Sequence, residues 1–232
     1  MKKIFIFTIL ITLIYCGLSC VNPRKKNHTI KDLQSISDSL KTVLEISDSI
    51  KILKVDTIQK SIAFIDYNKN SKFHKILLLQ RGNNIYPEYY NEEFLKQKDQ
   101  IKTEKPNIPG EIVKKWIQLY KFDSQLYVYL DCEYQMVYQT TDSTFISYYM
   151  DGGMPDIIID YKKLDKTHEL VTFKGDTIKI EQVDNGPIFQ IKWKKECKLY
   201  TPSDQINNFS IIVHHCTHET DDLISFEEYK CK

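Results

Sequence analysis

A chain of 232 residues with 42% hydrophobic and 12% aromatic side chains can bury a core, which excludes a wholly disordered polymer. Seven Gly and seven Pro exclude collagen-like or linker-like chemistry, and 32 basic against 31 acidic residues leave no net field that would draw nucleic acid. Ile occurs 31 times and Ala once, at Ala63, which tilts local propensity toward strands.

The first twenty residues follow the secretory pattern. Met1-Lys2-Lys3 is a positive start, Ile4 to Tyr15 is an uncharged apolar run, and small residues follow at Gly17 and Ser19. A spanning helix needs about 20 apolar residues, and Arg24-Lys25-Lys26 arrives too soon for that. Gly17-Leu18-Ser19-Cys20 resembles the lipobox of bacterial lipoproteins. That resemblance implies a signal peptide over 1–19, cleavage before Cys20, and a diacylglyceryl group on its sulfur. Two acyl chains make a lasting tether at about 0.8 kcal/mol per buried CH₂. Val21 is not Asp, so the resemblance favours an outer-membrane lipoprotein over one retained at the inner membrane, and one facing the periplasm. Taking Lys2 and Lys3 from the 32 basic residues leaves 30 against 31 acidic in the mature chain. Residues 20–29 read as a lipidated tether whose Arg24-Lys25-Lys26 lies near the bilayer.

From Thr29 onward, Ile30, Leu33, Ile36, Leu40, Val43, Leu44 and Ile46 recur at steps of three and four, which predicts one helix inside a segment over 30–55. Residues 56–232 read as an antiparallel β domain. Ser61 to Tyr67 and Phe73 to Gln80 are expected strands, joined by the turn-rich Asn68-Lys69-Asn70-Ser71. A polar excursion over 81–122 carries Pro87, Pro106, Pro109 and Gly110, with a short helix near 91–103. Ile112, Val113, Trp116, Ile117 and Tyr120 are spaced as a second short helix. Further strands are expected at 125–131, 134–140, 144–150, 157–163, 168–174, 177–183, 187–194, 208–214 and 222–229. Asp184-Asn185-Gly186 and Lys174-Gly175-Asp176 are tight-turn signals, while Asp151-Gly152-Gly153-Met154-Pro155-Asp156 reads as a longer turn. Ile178 and Ile180 face one side of their strand, and Lys179 and Glu181 the other. Short strands without helices between them predict a mainly β fold, an antiparallel meander closing into a barrel or sandwich after one N-terminal helix. Architecturally this is similar to small lipocalin-like lipoproteins, a resemblance that implies a barrel around a ligand.

Cys132, Cys197, Cys216 and Cys231 remain after the signal and the lipidated Cys20, and an even number outside the cytoplasm invites disulfides. No CxxC is present, so a thioredoxin-like or zinc-ribbon site is not supported. His214, Cys216 and His218 share one face of a strand and offer imidazole and thiolate to a metal. Tyr127 and Tyr129 share a face opposite Leu126, Val128 and Leu130 and present an aromatic platform for a sugar, an apolar ligand or a protein partner. No nucleophile or phosphate-loop motif is visible. The expected role is a non-catalytic binding or structural one at the envelope, without cofactor. The alternatives are a metal-binding envelope protein or an envelope hydrolase.

Overall fold

The computed structural model describes residues 49–56, 58, 61–79, 88–101, 104–131, 137–149, 152–183, 186–216 and 223–231. The signal peptide, Cys20, the tether and most of the expected N-terminal helix lie outside them, as do Cys132 and His218. No helix among the described residues is long and apolar enough to cross a membrane.

The fold is mainly β. Twelve strands run in chain order: β1 (Ile50–Asp56), β2 (Ser61–Asp66), β3 (Lys115–Phe122), β4 (Gln125–Leu130), β5 (Val137–Thr140), β6 (Thr144–Tyr149), β7 (Gly152–Leu164), β8 (Thr167–Thr172), β9 (Thr177–Gln182), β10 (Phe189–Trp193), β11 (Glu196–Pro202) and β12 (Ser210–Cys216). Two helices, α1 (Lys72–Leu79) and α2 (Glu88–Gln100), and a 3₁₀ turn over Ser203–Asn208 complete the set. Strands β5 to β11 form a meander, and β3 pairs with both β11 and β5, so eight antiparallel strands close into a barrel. The barrel is one of the two forms the sequence allowed.

β3 is also a fork. Its first half pairs with β5 through Lys115 to Ile117, and its second half pairs with β4 through Leu119 to Phe122. From β4 the sheet continues through β12, β2 and β1. The β12–β4 contact is parallel, the one departure from antiparallel pairing among the named strands, and the 3₁₀ turn supplies the connection from β11 to β12.

Two cores result. Inside the barrel, Trp116, Tyr138, Phe145, Ile158, Leu170, Ile178, Ile180, Ile191 and Tyr200 are buried and in contact. Ile108 and Ile112, from the segment before β3, join the same cluster. Full burial of each large apolar side chain stabilises by roughly 1.5–3 kcal/mol. The second core lies on the extension sheet, where Ala63, Ile65, Tyr127, Tyr129 and Ile212 meet Leu223 and Ile224 of the C-terminal segment. On the opposite face α1 packs on β2: Phe73 meets Phe64 edge-on at 5.3 Å, and His74 Nε2 lies 3.0 Å from the Phe209 carbonyl oxygen.

Several elements differ from the sequence expectation. Ile50 to Asp56, at the end of the expected helical segment, is the edge strand β1, paired antiparallel with β2. The expected strand at 73–80 is helix α1, whose His74 and Leu77 are buried three residues apart while Leu79 is exposed. The expected helix around Ile112 to Tyr120 is a turn followed by β3. Trp116, Ile117, Gln118 and Leu119 are all buried because β3 has a core on each side, and an unbroken apolar run mimics a helix. Residues 152–156 are not a turn but the start of β7, where Tyr149 is opposite Gly152. Gly153 is required by a close approach: a Cβ there would lie 2.9 Å from Ile146 Cγ2 and from Tyr148 Cε1. β11 had no expected counterpart, and the expected strand at 222–229 is reduced to the single bridge Lys121↔Glu227 within the described residues. By contrast, Lys174-Gly175-Asp176 is the tight turn expected, with Gly175 at φ +85° and its N–H bonded to the Thr172 oxygen at 2.9 Å. Ile178 and Ile180 are buried and Lys179 is exposed, as the alternation predicts.

Candidate functional site

Among the described residues the barrel interior is packed core and not open space. It is filled by the aromatic and Ile side chains of the first core, as in small barrels whose lumen is just wide enough for side chains. Concave surface is found instead at one mouth. There the turn after β7, the end of β9, the start of β10 and the turn before β3 bound a cleft of about 450 Å³, within the roughly 300–1,000 Å³ of small-molecule sites.

The cleft is built around a hydrogen-bonded array. β7 and β8 pair with Lys163 opposite His168, and Tyr161 one diagonal step away. Tyr161 Oη lies 3.0 Å from His168 Nδ1. His168 Nε2 lies 3.4 Å from Glu111 Oε1, and Lys163 Nζ donates to the same oxygen at 2.9 Å. A neutral imidazole with its proton on Nε2 satisfies both neighbours, accepting from the tyrosine and donating to the carboxylate. Glu111 is delivered by the turn at 110–112, which closes with the Ile112 N–H on the Pro109 oxygen at 3.1 Å. Ile112 points into the barrel core, so the turn's position is set by packing.

Burial sets the electrostatics. His168 is only 7% exposed, and desolvation lowers its pKa below 6.5; Glu111 opposes that shift and Lys163 adds to it. The Lys163 hydrogen bond holds Glu111 below the usual carboxylate value, and the same bond raises Lys163. Desolvation raises the Tyr161 phenol. The four groups therefore rest as a neutral phenol, a neutral imidazole, a carboxylate and an ammonium near neutral pH. Around them stand Asp165, Lys166 and Gln182, with Ile112, Val183 and Phe189 as apolar walls.

The residues singled out from sequence fall elsewhere. Tyr127 and Tyr129 are each 3% exposed and lie under Leu223, Ile224 and Phe226, so they form core and not an open ligand face. Tyr129 packs against Tyr120 and Phe226 at centroid distances of 5.3 and 4.9 Å. His214 is buried beside them, with Nδ1 3.3 Å from Tyr129 Oη and 3.7 Å from Asp131 Oδ1. Cys216 is disulfide-bonded, so it carries no thiolate for a metal. Among the described residues no group of three or more His, Cys, Asp or Glu side chains could hold a metal ion. Cys197 is bridged to Cys231 with their Cα atoms 6.1 Å apart.

Sequence reasoning passed over Tyr161, His168, Lys163 and Glu111. A signal was present for one of them, His168. Period two puts His168 on the same face as Leu170 and Thr172, an imidazole on the core side of a short strand. Glu111 had none, because it stands just before the expected helix of Ile112 to Tyr120, with no local spacing that ties it to β8. Compared with known proteins, the chain matches no family model, no curated protein and no solved structure.

Proposed function

We propose that this chain is a lipid-anchored envelope protein whose β domain binds a small polar ligand, of the sugar class, at the barrel mouth, without catalysing a reaction on it. The observation that carries this reading is the mouth array. Glu111, Lys163, Lys166, His168 and Gln182 offer donors and acceptors in a confined space, and Phe189 stands beside them as an apolar surface. That mixture suits a polyol, which presents hydroxyls around its rim and C–H groups on its faces. A nucleophilic role is disfavoured because burial raises the Tyr161 phenol, away from phenolate. Filling of the lumen and burial of the Tyr127–Tyr129 face leave the mouth as the better contact surface.

The anchor rests on the sequence around Cys20 and is supported by the Cys197–Cys231 bridge, which suits an oxidising compartment. Mass spectrometry of the mature amino terminus tests it: a diacylated Cys20 is expected, and an intact Met1 or unmodified Cys20 refutes it. Calorimetric titration with neutral and acidic mono- and oligosaccharides tests the ligand. Saturable binding that weakens in Lys166→Ala and Gln182→Ala, at unchanged melting temperature, is expected. No binding across the panel, or binding indifferent to both substitutions, refutes it.

A further inference from the structure

A second concavity, a groove of about 630 Å³, lies between β3, β11 and the C-terminal segment. It exists because β3 and β11 part company. They pair only from Trp116 to Leu119 and from Leu199 to Pro202, leaving Glu196, Cys197 and Lys198 without a β3 partner. The C-terminal segment lies along this gap. Its only ladder contact among the described residues is the bridge at Lys121, where the Glu227 N–H donates to the Lys121 oxygen at 2.8 Å. Beyond that bridge, the Tyr229 hydroxyl donates to Gln190 Oε1 at 3.1 Å, and Cys231 is tied to Cys197.

The surroundings of that tie are cationic. Five lysines line the groove against three glutamates. Lys121 is paired with Glu227, and Lys198 with Glu196. Lys192, Lys195 and Lys230 have no carboxylate partner among the described residues. Lys192 stands directly opposite Cys197 in the β10–β11 ladder, Lys195 is in the turn joining those strands, and Lys230 precedes Cys231. Both half-cystines are partly exposed. Nearby cations stabilise a thiolate, and a more stable leaving thiolate departs faster in exchange.

We propose that Cys197–Cys231 is an exchange-labile latch that a dithiol reductant opens to free the end of the C-terminal segment. A thiolate of the reductant attacks Cys231 Sγ. The Sγ–Sγ bond breaks, and its electron pair leaves on Cys197 as a thiolate in the groove that the lysines line. The second thiol of the reductant then displaces Cys231 from the mixed disulfide. The reductant ends as a disulfide, Cys197 and Cys231 gain two electrons between them, and both take up protons to the extent that the cationic setting allows. With the latch open, residues 228–231 keep no ladder contact, and access widens to the aromatic cluster of Tyr120, Tyr129 and Phe226.

The test uses the purified full chain titrated with dithiothreitol, trapped with iodoacetamide and mapped by mass spectrometry. Cys197 and Cys231 are expected to alkylate at roughly tenfold lower dithiothreitol than Cys216, which serves as the internal reference. Amide exchange over residues 228–231 should rise at the same concentration. In the triple variant Lys192→Gln, Lys195→Gln, Lys230→Gln, opening should slow roughly threefold for each unit by which the leaving thiol's pKa rises. Simultaneous or later reduction relative to Cys216, unchanged amide protection after reduction, or an unslowed triple variant would each overturn the proposal.

Discussion

Gly153→Ala is the sharpest probe of how β6 and β7 pack. The residue's φ is not in the left-handed region, so backbone strain does not enter and the effect is one of space alone. An added Cβ would sit 2.9 Å from Ile146 Cγ2 and from Tyr148 Cε1, and 3.2 Å from Tyr148 Cδ1. Neither neighbour can step aside freely. Ile146 is 5% exposed and branched at Cβ, and Tyr148 is 8% exposed with its hydroxyl donating to Gln139 Oε1 at 2.8 Å. Overpacking of this kind costs about 1–3 kcal/mol. Gly110→Ala is the control, since a Cβ there meets nothing within 4 Å; loss of unfolded-state freedom should leave it neutral or about 0.4–1 kcal/mol more stable. Urea unfolding followed by tryptophan fluorescence reads both. Equal midpoints for the two variants would refute the packing, and with it the strand assignment that replaced the expected turn at 151–156.

Other outcomes follow from burial. His74 and His168 are both lowered from 6.5, chiefly by desolvation, so the unfolded chain takes up their protons first. Stability should be full above pH 6.5 and fall as the pH drops through that value, and His74→Gln or His168→Gln should flatten the slope in pH-dependent urea midpoints. Asp156 has the opposite sign. Burial raises it above 3.8, against the opposing hydrogen bonds of Thr172 and the Lys174 backbone, so stability should decline as the pH rises from 3.8 through its folded value. Asp156→Asn should abolish that decline in the same assay. Phe226→Ala removes ring contacts at 4.6 Å to Tyr120 and 4.9 Å to Tyr129; a loss of about 2–3 kcal/mol by chemical denaturation is expected for this partly buried ring.

The stretch from β8 to β10 was legible because each strand shows one face to a single core. Leu170, Ile178, Ile180 and Ile191 alternate with exposed or half-exposed neighbours, and Gly175 marks its turn. Legibility failed at β3, which is covered on both sides. β3 is buried from Trp116 to Leu119, so period two vanishes from its pattern of exposure, whereas β2, buried at all six positions, still reads as a strand at 61–67 from its β-rich run and the turn residues after it. Phe73 to Leu79 misled in the other direction, since its apolar run has no periodicity to separate a short helix from a strand. The site was harder still. Tyr127 and Tyr129 alternate as an open platform would, yet Leu223 and Ile224 from almost a hundred residues away cover them. The mouth array joins Glu111 to His168 across 57 positions, a proximity no local spacing encodes.

The fork at β3 has a consequence for how the molecule can come apart. Trp116 belongs to the barrel core and Tyr120 packs against the extension core, four residues along one strand. Pulling β3 from either sheet would withdraw a wall from both. Melting should therefore register as one cooperative event, and neither half should survive excision as an independent folding unit.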